Sequence, residues 1–206
     1  MVTAKQIVEQ ALESMKTYSL QRVLPALREA NEGAKQDVLN TNGNAYYQWS
    51  ACLVDIRKPK QVVELGGAMG VWDLLVLDTL PATSNLYSIT LSENGLEFSY
   101  VVDSYPNFHP IIGDDLDMNN WKDIDLSMTD LWFFDTVHTE DQFRKELDLY
   151  SPFFKKDAIV LFDDIHLHKG MENVWKDIKV GKWGTMDCYD GTNPLHYTGF
   201  GCVRIS

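Results

Sequence analysis

The sequence predicts an α/β protein: a doubly wound, mostly parallel sheet with an antiparallel terminal hairpin and an N-terminal helical extension. Three observations lead there. Five short apolar runs follow one another: QVVEL (61–65), NLYSITL (85–91), HPIIG (109–113), DLWFFD (130–135) and AIVLFD (158–163). Such runs, with little polar alternation, are the pattern of strands covered on both faces. Helical stretches separate several of them, and alternating strand and helix favours parallel pairing. The tail differs: GTMDCY (184–189), a DGTNP turn and TGFGCVRI (198–205) have the pattern of an antiparallel hairpin closing the sheet edge.

The elements follow in order. Thr3 and Gln6 have capping-box spacing, and Ile7, Ala11, Leu12 and Met15 keep helical period behind them. Leu20, Val23, Leu24 and Leu27 repeat the period in a second helix that Asn31-Glu32-Gly33 ends. The polar stretch NTNGN (40–44) precedes a third helix around Tyr46 to Ile56, and Pro59 closes it. The expected division is therefore a helical extension over 1–44, serving as a lid or a homodimer surface, and an α/β domain over 45–206. Later, Thr139 and Gln142 have capping-box spacing, Phe143, Leu147 and Tyr150 share a face, and Pro152 stops that helix.

Composition narrows the function. The chain has 206 residues, enough for one sizeable domain, and a formal net charge of −12. No Lys/Arg cluster stands out in the sequence, so nucleic acid is not an expected partner. No apolar stretch is long enough to span a bilayer, and MVTAKQIVEQALESM reads as a polar amphipathic helix, not a signal peptide. Cys52, Cys188 and Cys202 are odd in number and lack CxxC spacing; they read as reduced core thiols of a cytoplasmic protein.

In doubly wound sheets ligands bind beyond the carboxyl ends of the strands. After the first strand comes VVELGGAMG (62–70). Gly66, Gly67 and Gly70 allow a tight turn and close backbone approach to a ligand. Their spacing is neither the GxGxxG of dinucleotide sites nor the GxxxxGK[ST] of phosphate loops. Glu64-x-Gly66-x-x-x-Gly70 resembles motif I of the class I S-adenosylmethionine-dependent methyltransferases, with Ala68 where that family often has a glycine. The resemblance covers roughly residues 45–206 and implies a Rossmann-like, seven-stranded sheet. It also implies that Glu64, Gly66, Gly67 and Gly70 hold the cofactor. The family's ribose-binding acid after the second strand is absent from NLYSITLSEN, where Ser92 and Glu93 are the nearest substitutes. Gly113-Asp114 resembles the family's adenine-side Gly-Asp pair. Where the family has Pro-Gly-Gly before the fifth strand, this chain has FFKKDAIV.

The fourth and fifth apolar runs both end in acid with histidine behind: FFDTVHTED (133–141) and AIVLFDDIHLH (158–168). Neighbouring fourth and fifth strands would bring Asp135 beside Asp163 and Asp164. Three carboxylates repel one another unless something positive lies among them, and oxygen ligands suit Mg²⁺ first, then Mn²⁺. Asp135 alone could instead cap a helix or orient the cofactor. The pattern resembles the metal-dependent small-molecule O-methyltransferases. Asp135-x-x-His138 with Asp163-Asp164 is closer to the branch of antibiotic-tailoring sugar O-methyltransferases and cephalosporin-hydroxylase-like proteins. That resemblance implies Asp135, Asp163 and Asp164 as metal ligands, His138 as general base, and O-methylation of a small hydroxylated molecule. Rival expectations are another reaction on the same metal site, or a non-catalytic binding protein on the same scaffold. His166 and His168 lie in a loop that either reaches the site or faces solvent. His109 and His196 read as structural or exposed, and the tryptophans as core.

Overall fold

The computed structural model describes residues 2–19, 45–68, 70–91, 104–181, 183–188 and 195–206. Seven strands form one sheet: β1 (Gln61–Leu65), β2 (Asn85–Thr90), β3 (Phe108–Ile112), β4 (Leu131–Phe134), β5 (Ile159–Asp163), β6 (Gly184–Asp187) and β7 (Phe200–Arg204). Their order is β3-β2-β1-β4-β5-β7-β6. Strands β1 to β5 are parallel, and β7 runs antiparallel between β5 and β6. The expected hairpin is present, and its last strand is the one inserted beside β5.

Strand β4 shows why the apolar runs are continuous. Leu131 and Phe133 pack on one face of the sheet, Trp132 and Phe134 on the other, and all four are buried. Each such side chain contributes roughly 1.5–3 kcal/mol of transfer free energy. The first face is covered by α1 (Ala4–Met15), α2 (Ala45–Arg57) and α3 (Val71–Thr79), the second by α4 (Glu140–Tyr150) and α5 (Lys169–Val180). The acids at the ends of the β4 run stay outside the strand, because their charges are solvated or paired there. Asp130 accepts hydrogen bonds from the backbone N–H of Lys60 (2.7 Å) and Gln61 (3.3 Å), stitching the start of β4 to that of β1.

Helix α1 has the expected capping box, with both reciprocal bonds between Thr3 and Gln6. Its buried stripe is Ala4, Ile7, Val8 and Ala11, and Leu12 is exposed. The face is thus rotated from the one expected, because α2 receives Val8: the Trp49 indole donates to its carbonyl at 3.3 Å. The expected second helix, with Leu20, Val23, Leu24 and Leu27, lies outside the described residues, as does the boundary at 44. All three cysteines are free and buried. Trp72, Trp121, Trp132 and Trp175 fill the two cores and Trp183 is partly buried. Among the described residues no helix is long and apolar enough to cross a membrane.

Candidate active site

The carboxyl ends of β1, β2 and β4 enclose a cleft of about 180 Å³, lined on its floor by Gly66, Ile89, Gly113, Asp115 and Asp135. The turn after β1 shapes it. Gly66 has φ of +99°, and a Cβ there would lie 1.9 Å from the carbonyl oxygen of Asp135, so only glycine fits. The backbone N–H groups of Gly66 and Gly67 both donate to the Ile89 carbonyl, at 2.9 and 3.1 Å. Gly70, also at positive φ, is the N-cap of α3. Ala68 takes the left-handed region as well, where its Cβ carries a strain that glycine would avoid.

The carboxyl ends of β4 and β5 carry the second part. Asp135 hydrogen-bonds through its N–H to the Leu65 carbonyl at 2.9 Å, which fixes it against the glycine turn. Successive strand residues ordinarily face opposite ways. Asp164 has φ of +55°, and this kink lets it and Asp163 reach the same imidazole. That ring is His196: its Nδ1 is 3.1 Å from Asp163 and 3.4 Å from Asp164. A second imidazole bridges the other way. His138 Nε2 lies 3.1 Å from Asp135 and its Nδ1 3.2 Å from Asp164. Thr198 donates to Asp164, and Tyr46 meets the His196 ring edge-on at 4.9 Å.

Electrostatics follow from this arrangement. Burial raises the Asp163 pKa to about 7, helped by the neighbouring charge of Asp135 and opposed by His196. Burial disfavours charge on His196, but the adjacent carboxylates of Asp163 and Asp164 outweigh that and raise its pKa to about 9. His138 is raised in the same way: burial opposes, and Asp135 prevails with help from Asp164. Burial pushes Asp164 up, yet His196 and Thr198 hold it below the usual carboxylate range. Two sets of ligand atoms gather within 4.8 Å of one another, Asp135-His138-Asp163 and Asp163-Asp164-His196. Asp163 Oδ1 is buried with no donor in hydrogen-bonding geometry; its nearest cation is His196, in ion contact. A buried carboxylate oxygen gathered with other oxygen and nitrogen donors is a chemically suitable place for a divalent cation.

Residues 63–165 match the model of a family described as a methyltransferase domain. The chain belongs to this methyltransferase family. It is therefore an enzyme, and its sheet is the class I methyltransferase sheet. Solved structures with the same fold include a methyltransferase from Geobacter sulfurreducens, 14% identical over 88% of this chain and 90% of that one, with a TM-score of 0.65. The O-methyltransferase from Bacillus cereus, solved with SAH, is 13% identical over 98% and 99%, with a TM-score of 0.66. The O-methyltransferase TomG of Streptomyces achromogenes, involved in tomaymycin synthesis and solved with SAM, is 15% identical over 100% of both chains, with a TM-score of 0.63. No curated protein matches the sequence.

In this methyltransferase Asp135, His138, Asp163 and Asp164 do come together, beside Gly66. Others are placed differently from the expectation. Glu64 does not line the cleft. It is buried between β1 and α3, where Ser88 donates to it and Asp73 is its neighbour. Burial raises both acids, Glu64 to about 7. Asp73 was legible as an acid inside the apolar helix VWDLLVL. Asp114 is exposed and caps its own turn by accepting from the Leu116 N–H at 2.9 Å; the next residue, Asp115, is the one that lines the cleft. Ser92 and Glu93 lie outside the described residues.

His196 is not exposed: it is buried and sits among the acids. The final hairpin carries it there, and nothing in its local sequence marks it. His168 supports the site indirectly. Its Nδ1 accepts from the Gly170 N–H at 3.1 Å, so its Nε2 carries the proton and donates to the His138 carbonyl at 2.7 Å. His166 pairs with Asp187 at 2.8 Å, and His109 contacts Asn85 at 2.9 Å, away from the cluster. The capping box at α4 is half formed. Thr139 caps Gln142, but the Gln142 amide turns to Glu146 at 2.7 Å and Asp115 at 3.3 Å, tying the helix to the cleft.

Proposed function

We propose that this methyltransferase moves the methyl group of S-adenosylmethionine to a hydroxyl of a small molecule, assisted by a divalent cation. The observation that carries this reading is the cluster of Asp135, His138, Asp163, Asp164 and His196 beside the glycine-turned cleft. The cleft's small and apolar lining suits an adenosine, with Asp115 and Asp135 as its acceptors. The cofactor supplies a methyl group already activated on a sulfonium. Asp163, common to both sets of ligand atoms, would hold the cation together with Asp135 or Asp164, and the cation would lower the cost of ionising a hydroxyl. Because imidazoles adjoin these oxygens, the donor set suits Mn²⁺ as well as Mg²⁺.

His138 would take the hydroxyl proton on a ring nitrogen that becomes free when Asp135 or Asp164 turns to the cation. Asp135 and Asp164 stabilise the imidazolium that forms, and base assistance of this kind is worth roughly 10²–10⁴-fold. His168 fixes the backbone from which His138 projects. A second, metal-free reading has an observation of its own. Both nitrogens of His138 are already engaged by carboxylates, and His196 is held cationic by two more contacts. In that reading the two rings supply the positive charge and His196 keeps the acids from repelling one another.

Calorimetric titration separates the two. S-adenosylmethionine, Mg²⁺ and Mn²⁺ are titrated separately into metal-stripped protein and into an Asp163→Asn/Asp164→Asn variant. The proposal expects a cation site in the wild type that the variant loses, with the cofactor bound by both. Cofactor binding without any cation site leaves the metal-free reading. No cofactor binding by folded protein overturns both.

A further inference from the structure

The opposite, amino-terminal edge of the sheet holds a larger cleft, of about 320 Å³. That is within the range of small-molecule sites. Arg57, Lys58, Lys60, Lys155 and Lys156 line it, five of the chain's 18 basic residues. They come from three places: the last turn of α2 and the loop beyond it, the residue before β1, and the loop before β5. The protein as a whole carries a net charge of −12.

Neighbouring acids neutralise only part of this charge. Asp130 is engaged by Lys155 at 2.7 Å and by two backbone N–H groups, and Asp157 is engaged by Arg204. Lys58 pairs with Asp55. The side chains of Arg57, Lys60 and Lys156 have no acid partner among the described residues. Cations that line one concavity repel one another, and a concave surface focuses their field on whatever anion enters. Buried Leu53, Leu131 and Ile159 lie beneath them, and Met128, 55% exposed, supplies apolar surface in the lining.

We infer that this cleft binds a small phosphate-bearing molecule with an apolar body. A phosphate presents three oxygens to three separate donors, and Arg and Lys both pair with it strongly. A carboxylate would leave one of the cations unmet. The net charge of −12 disfavours an extended polyanion. The site stands apart from the proposed transfer site, since the strands between them separate the two edges of the sheet.

The test is titration of phenyl phosphate into the whole chain at low ionic strength, beside inorganic phosphate and phenol as partial ligands. The comparison is a Lys60→Gln/Lys156→Gln variant; both residues are exposed, and an unchanged thermal melt shows the variant folded. The expected result is saturable, one-to-one binding of phenyl phosphate, stronger than that of either partial ligand. The variant should weaken it by about tenfold or more, as loss of charge-assisted bonds does. Absence of saturable binding, or equal affinity in the variant, overturns the inference.

Discussion

His196 is the residue on which the charge balance of the site turns. It is the nearest cation to buried Asp163, and its own pKa is raised to about 9 against an ordinary value of 6.5. A histidine raised on folding stabilises fully below its unfolded pKa and loses that contribution as pH rises through the folded one. His196→Ala should therefore cost about 3 kcal/mol near pH 6, as removal of one partner from a buried pair does. Urea unfolding should show this difference shrinking between pH 6.5 and 9; a pH-independent difference would falsify the pairing. Gly66 gives a second prediction. Its Cβ has no room beside the Asp135 carbonyl and its φ is positive. Gly66→Ala should lose S-adenosylmethionine binding in calorimetry and lower stability by about 1–3 kcal/mol. Gly66, Asp135, Asp163 and Asp164 were legible in the sequence because each follows directly on an apolar run. His196 was not, because it lies 32 residues beyond Asp164 and only strand pairing brings it back.

At the scale of elements, α4 does more than cover the sheet. Glu146 is buried in it, receives hydrogen bonds from Thr136 and Gln142, and faces Asp115. Burial raises its pKa to about 8. An acid raised on folding keeps its proton where the unfolded chain has released it, so its contribution falls as pH rises from 4.5 to 8. Glu146→Gln should accordingly gain stability relative to the wild type over that interval, by about 1–3 kcal/mol. Thermal melts at the two ends of the interval check it; parallel profiles would mean that Glu146 ionises freely. The glutamine at N3 of this helix shows how far pattern reading reaches. Thr139 and Gln142 have capping-box spacing, and Thr139 does cap. The Gln142 amide instead goes to two acids, one of them on the loop after β3. A three-residue spacing specifies which groups are near, and burial of those acids decides which bond forms.

For the whole molecule, the two cores meet at β4. Phe133 stacks on Trp72 at 4.6 Å and lies 6.1 Å from Tyr46, which in turn abuts His196. Phe133→Ala should cost about 3–5 kcal/mol through the cavity it leaves. It should also lower transfer activity beyond what the lost stability explains, since Tyr46 loses its support; activity measured well below the melting temperature tests this. The net charge of −12 has a global effect too. Self-repulsion is screened by salt, so the melting temperature should rise between low ionic strength and roughly 0.3 M, where the screening length is a few ångströms. A flat response would show that the surface acids are already locally paired.

The sequence by itself determined the sheet, the glycine turn and the acids that follow β4 and β5. These depend on local rules: continuous apolar runs bury on two faces, glycine alone takes certain turns, and a carboxylate ends a buried strand. Only the tertiary structure decided which groups meet. It buried Glu64 beside Asp73 and Ser88, away from the cleft, and placed Asp115 there where Asp114 was expected. It brought His196 between Asp163 and Asp164, and it gathered at one edge five cations that the sequence scatters between 57 and 156. The physical reason is common to all four. Whether a charged side chain is exposed, paired or directed at a ligand depends on neighbours that are distant in the chain and adjacent only across the folded sheet.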